Sequence, residues 1–257
     1  MKSNCKVVFI CLSILSLAGI ACGEDDDKKY DVGDSDPTSQ SNVQYGDVHS
    51  GMYHLGPVDF GETQWHNACA PAGGYRADLV EPTGLGGEYL AGVSGTYKMN
   101  GAICDACILV KTAKGKSIVA RVVTYGATNE PGDIDVSPSV YTALNMEEWP
   151  RDMTWELTAC PDTGNLYYEF QTEANVWWSS LWVRNAKVPI EKVEVKSKKH
   201  PEFTEMKRGG DGTLTDGSGF GEGPFTLRMT GIDGQVIEEE FEGFSAGELI
   251  IGKKQFQ

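Results

Sequence analysis

"NVWWSSLWVRN", residues 175–185, places three of the chain's six tryptophans within six positions. Its β-branched and aromatic residues read as a strand. Side chains alternate across a strand, so Trp178 and Trp182 share one face while Trp177 starts on the other. Both faces then carry aromatic area. Either the strand sits in a thick hydrophobic core, or one face is a platform for something flat.

The composition around this stretch narrows the partners. The 257 residues suffice for one large domain or two ordinary ones. A formal net charge of −15 argues against nucleic acid and anionic membrane surfaces, which need a basic footprint. Acidic polymers such as pectate would be repelled. With 31 glycines and 10% aromatic residues, the chain favours a turn-rich β protein over a helical bundle.

The N-terminus has the character of an export signal. Lys2 and Lys6 precede the apolar "VVFICLSILSLAGIA", which is short for a membrane span. It ends at Cys22 in "GIAC", which looks like a bacterial lipobox, so residues 1–22 are expected to be a signal peptide of lipoprotein type. Cys22 is then the candidate lipidation site, and plain signal cleavage is the alternative. Export to an oxidising compartment leaves Cys69, Cys104, Cys107 and Cys160 as an even set. "CDAC" has the spacing of a metal or redox pair, but zinc would want a second close pair. Two disulfides and no metal or cofactor are expected.

Residues 23–45, acidic and nearly free of aliphatics, read as a disordered tether. From residue 46 to about 162, apolar runs such as "CILVKTAKGKSIVARVVTYG" and "MTWELTAC" alternate with glycine turns, as strands do. "SPSVYTALNM" (137–146) is the one helix expected, with Ser137 as N-cap and Pro138 at the first position. The turn "PDTGN" (161–165) separates this block from a second strand-rich block, 163–257. There "KVEVKSKK" reads as a solvated strand edge.

Four pieces together resemble bacterial expansins: "NGAICDACILVK", "GDIDVSPSVYTAL", "TWELTACPDTGNLYYEF", and "NVWWSSLWVRN" followed by "FTLRMTGIDGQVI". The resemblance covers nearly everything after residue 46. It implies a mainly all-β chain, with a six-stranded double-psi β-barrel related to family-45 endoglucanases and then an immunoglobulin-like β-sandwich that binds carbohydrate. It also implies a monomer that loosens plant-type wall networks without hydrolysis, holding cellulose or a related β-glucan across both domains. A weak endoglucanase or lytic enzyme on the same barrel is the rival reading. A third is a binding protein with an inactive barrel.

The resemblance assigns residues as well. Asp135 matches the aspartate that serves as general acid in the related endoglucanases. Thr124 stands where bacterial expansins usually carry a second aspartate. Tyr125 matches a groove tyrosine, and His54 falls where a groove threonine is usual. Asp133 is an ambiguous substitute for the lost carboxylate; Asp59, Glu62 and Asp78 are others. Trp177 and Trp178 match the aromatic pair that lies flat under glucan rings. The usual third aromatic falls near Asp211, where none stands, and Phe220 is the nearest candidate. Trp182 is expected to be solvent-exposed and to extend the platform in its place. By the family pattern, Cys69 pairs with Cys104, and Cys107 with Cys160.

Overall fold

The computed structural model describes residues 43–56, 68–71, 74–76, 89–126, 130–145 and 149–257. The signal-like segment with Cys22, most of the acidic tether, and Asp59, Glu62 and Asp78 lie outside the described residues.

Six strands close into a barrel: β1 (Gln44–Leu55), β2 (Leu90–Ser94), β3 (Cys107–Thr112), β4 (Ser117–Gly126), β5 (Ile134–Val136) and β6 (Asp152–Thr158). Their order around the barrel is β1-β5-β2-β4-β3-β6. The pairs β1/β5 and β2/β4 are parallel, while β3, β4 and β6 form an antiparallel set. Alternation sends Tyr53, Ala91, Val93, Ile108, Val122, Ile134 and Val136 into the core and their chain neighbours to the outer face. The expected helix is present but short. It is α1 (Pro138–Ala143), and Ser137 makes no side-chain cap bond to it. The Ser137 hydroxyl accepts instead from the Leu90 amide at 3.2 Å, tying the helix entry to β2.

The second half is a sandwich of two sheets. One has the order β10-β9-β13-β14, with β9 (Ile190–Ser197), β10 (Thr204–Glu205), β13 (Phe225–Gly231) and β14 (Val236–Phe241). The other runs β11-β12-β8-β7-β15, with β7 (Tyr167–Phe170), β8 (Ser179–Arg184), β11 (Lys207–Arg208), β12 (Leu214–Asp216) and β15 (Leu249–Ile251). Between the sheets, Phe170 stacks on Phe244 and Phe225 on Phe241. Phe220 is fully buried beside them and is therefore no surface aromatic. The "KVEVKSKK" run is not an edge either, because β9 lies between β13 and the short β10. Glu239 faces inward, where it accepts from the Tyr168 hydroxyl at 2.8 Å and from the Lys253 amide at 2.5 Å. Burial and then the Glu239 charge push the Tyr168 hydroxyl far above its ordinary pKa, so it stays a donor.

Two disulfides staple the barrel, Cys69–Cys104 and Cys107–Cys160, the pairing the family pattern implies. Barrel and sandwich belong to one compact unit. The turn between them is held by Asn185, whose side-chain amide donates to the Thr163 and Asn165 carbonyls at 3.2 and 2.8 Å.

Candidate functional site

On the barrel's outer face, four strands bring four residues into one cross-strand row. Register pairs His54 with Asp135, Asp135 with Gly92, and Gly92 with Thr124. Three strand spacings give the row a length of about 14 Å. Gly92 is what lets it close up: a Cβ there would stand 2.7 Å from the Thr124 side chain. Thr124 Oγ1 accepts from the Ala68 amide at 3.2 Å, so it is fixed as an acceptor.

Asp133 does not substitute for the missing carboxylate. It is buried, accepting from the Met52 amide at 2.7 Å with one oxygen and bonding His54 Nε2 at 2.9 Å with the other. His54 is thereby a held, part-exposed imidazole beside Asp135 rather than a loose surface histidine. Among the described residues of the row, Asp135 is the only carboxylate.

In the sandwich, the tryptophan pair is not in a strand. Residues 175–178 form a tight turn closed by two backbone bonds between Asn175 and Trp178, and β8 begins only at Ser179. The Asn175 side-chain oxygen accepts from the amides of Trp177 and Trp178 at 2.9 and 3.1 Å, a local bond that competes with a strand ladder. A turn, not a strand, therefore presents the pair. Trp177 is 73% exposed and Trp178 half-buried.

Gly219 lies directly beneath Trp177. Its φ is +75°, and a Cβ there would stand 2.4 Å from the Trp177 backbone, so no other residue fits. Lys199 Nζ lies 5.4 Å from the Trp177 ring and bonds the Ser218 carbonyl. The same loop is tied by His200 Nε2 to Asp216 Oδ2 at 2.6 Å.

Burial pushes the Asp216 carboxyl upward. Its bonds from the Ser218 amide and hydroxyl, with the neighbouring His200, outweigh this and leave it below the usual carboxylate range. A depressed folded value stabilises the protein above the unfolded pKa of about 4, and that contribution disappears as pH falls through the lower folded value. Acidification through that window is expected to destabilise wild type more than Asp216→Asn, as read by urea midpoints at pH 6 and pH 3. Equal losses in the two proteins would remove Asp216 from the account.

Trp182 corrects the expectation of an exposed third aromatic. It is 4% exposed, its indole N–H donates to the Asp211 carbonyl at 3.1 Å, and the Arg184 guanidinium lies 5.0 Å from its ring. It shares a sheet face with Arg184, and the barrel covers this end of that face. Arg184 is fully buried. Its Nη1 donates to Asp105 Oδ2 at 2.5 Å and to the Cys69 carbonyl at 3.1 Å, and its Nε to Glu169 at 3.0 Å. The Tyr75 hydroxyl closes the network on Asp105 at 2.7 Å.

Tyr125 also joins the halves, its hydroxyl donating to the Gly210 carbonyl at 2.6 Å. A path of contacts thus runs from Thr124 and Tyr125, through Gly210 and Asp211, to Trp182 and along β8 to Trp178. Sequence reasoning missed Asp105 and Arg184. Their signal was an aspartate between two cysteines and an arginine on the parity of Trp182.

The sequence comparisons find similarity to expansins, and solved expansin structures share the fold. The model of the "Expansin-like protein middle domain" matches residues 164–257. The chain is 27% identical over 161 residues to Expansin-YoaJ of Bacillus subtilis, covering 60% of this chain and 68% of that one. It is 23% identical over 136 residues to Expansin-like protein 3 of Dictyostelium discoideum, covering 51% and 41%. The crystal structure of the apo expansin of Clavibacter michiganensis superposes with a TM-score of 0.66 at 19% identity, covering 82% of this chain and 98% of that one. A mutant of that expansin in complex with cellohexaose gives 0.64 at 18% identity, with the same coverage.

Proposed function

We propose that this expansin-like chain binds β-glucan of the cellulose type along the path from the Trp177–Trp178 turn to the Asp135 row, and loosens wall networks without cutting the glucan. The carrying observation is the seating of Trp177, an indole 73% exposed on a backbone that the Asn175 turn and Gly219 beneath it hold in place. A protein leaves that much aromatic area in water at a cost, and an indole with two rotatable bonds on a held backbone has little ordering entropy to lose when it stacks on the C–H face of a sugar. The mutant Clavibacter expansin that superposes on this fold was crystallised with cellohexaose, which supports the ligand class.

Non-hydrolysis rests on the row. Glycosidic cleavage by either stereochemical route uses two carboxylates flanking the bond. Among the described residues, Asp135 can donate a proton, Thr124 has no carboxylate, and Asp133 has both oxygens committed. Asp135 then acts by hydrogen bonding a sugar hydroxyl or bridging oxygen, with His54 and Thr124 on either side.

Trp177→Ala is expected to weaken binding to microcrystalline cellulose about tenfold while leaving the thermal midpoint nearly unchanged, since stacked rings are worth about 1–3 kcal/mol. Depletion isotherms at low and high salt check this. Wild-type binding should scarcely respond to salt, because stacking rather than ion pairing holds the glucan. Asp135→Asn should abolish creep of a loaded wall strip and leave the fold intact. Reducing-sugar release by wild type that vanishes in Asp135→Asn would reverse the non-hydrolytic reading.

A further inference from the structure

We propose that the cleft where the barrel meets the outer face of the five-stranded sheet receives a neutral sugar branch carried on the glucan backbone, so that the protein prefers substituted to linear β-glucan. This rests on the platform reading above. The cleft has a volume of about 690 Å³, within the 300–1,000 Å³ of small-molecule sites. Tyr75 and Arg76 line it from the barrel; Thr172, Glu173, Trp182 and Asp211 line it from the sandwich.

Continuity places it on the proposed glucan path. Trp182 lies on β8 four residues after Trp178, which closes the turn just before that strand, and Glu169 pairs with Trp182 across β7/β8. Thr172 and Glu173 lead into the turn that carries Trp177. A linear backbone is a flat ribbon whose sugar faces lie on the exposed indole. Such a ribbon passes over a recess walled by two domains without filling it, whereas a pendant sugar has the compact shape to enter.

The lining chemistry suits a neutral sugar. The part-exposed Ala70 and Pro71 give the apolar wall, with only the edges of the buried Tyr75 and Trp182 reaching it, and the carboxylates of Glu173 and Asp211 and the Arg76 guanidinium give acceptors and donors for hydroxyls. Arg76 is the one cation on this lining and donates to the Gly247 carbonyl at 2.8 Å, while the single charge of Arg184 is shared between Glu169 and Asp105. Glu169, Glu173 and Asp211 outnumber Arg76 on the lining, so an acidic branch is disfavoured.

The test is calorimetric titration of the full chain with a linear β-1,4-gluco-oligosaccharide and with the same backbone bearing xylosyl branches. The branched ligand is expected to bind about tenfold more tightly, the discrimination a filled pocket typically supplies. Thr172→Trp, which plugs the cleft from an exposed position, should remove that preference and leave linear binding unchanged. Glu173→Ala, which cannot overpack, should reduce it in the same direction. Trp177→Ala should weaken both ligands alike. Equal wild-type affinity for the two ligands, or a preference that survives both cleft variants, overturns the cleft assignment alone. Failure of wild type to bind either ligand, or indifference of both to Trp177→Ala, overturns the platform reading and the cleft with it.

Discussion

Arg184→Ala is expected to lower the unfolding free energy by about 3–5 kcal/mol, the cost of leaving buried charges without their partner. Arg184 is fully buried, and its removal leaves the buried carboxylates of Asp105 and Glu169 without their cationic partner. Burial alone would weaken the guanidinium's charge. Asp105, Tyr75 and Glu169 outweigh it and hold the group protonated above its ordinary pKa. Arg184→Lys should recover little, because one ammonium cannot span both carboxylates and the Cys69 carbonyl in the geometry of the planar fork. Urea denaturation followed by tryptophan fluorescence checks both variants. A loss under about 1 kcal/mol, the scale of a surface pair, would show that water reaches the network.

Losing the Cys107–Cys160 bridge is expected to be comparably severe. The bridge ties the first residue of β3 to the segment after β6 across 53 residues of chain. Closing a loop of that length removes about 4 kcal/mol of unfolded-state entropy in the chain-entropy model. Around it lie the Arg121–Asp162 ion pair and the Asp105 carbonyl, which accepts from Arg121 at 2.9 Å, so slack here reaches the Arg184 network as well. The double variant Cys107→Ser, Cys160→Ser should shift the urea midpoint further than Cys69→Ser, Cys104→Ser. The latter bridge closes 35 residues, and its Cys104 end is only part-buried. The reverse order would mean that native-state contacts, not loop length, set the contribution.

The strands of both domains were legible because their burial follows the alternation written in the sequence. In β13, Phe225, Leu227 and Met229 face in, while Thr226 and Arg228 face out. The row of His54, Asp135 and Thr124 was legible only through family likeness, since strands so far apart in sequence carry no mark of their pairing. Trp182 shows the limit of parity arguments. Parity placed it on the outer face of its sheet, but which part of that face the barrel covers depends on a tertiary contact. On the barrel's side that contact is made by Tyr75, Asp105 and Tyr125, and nothing in the sequence marks these residues as neighbours of β8. The tryptophan pair was misread as strand for a local reason: the Asn175 side chain closes a turn that the aromatic composition hides.

The domain junction is built largely from main chain. Gly101, at φ +85°, abuts the Gly209 carbonyl so closely that a Cβ would stand 2.2 Å from it, and a Cβ on Gly212 would press the Cys104 side chain at 3.0 Å. With the buried arginine, these contacts leave no hinge between the two halves. Stiffness of this kind governs avidity. Two weak sugar-contacting patches joined by a slack linker rebind independently, and the gain from joining them falls as the linker lengthens. Locked at one spacing, they act as a ruler: a polymer whose repeat matches the spacing engages both at once and departs slowly, and one that does not match gains nothing from the second patch. Residence time on the wall is then set by the fit between a rigid spacing and a polymer repeat, and a single alanine at Gly101 should shorten it without touching either patch.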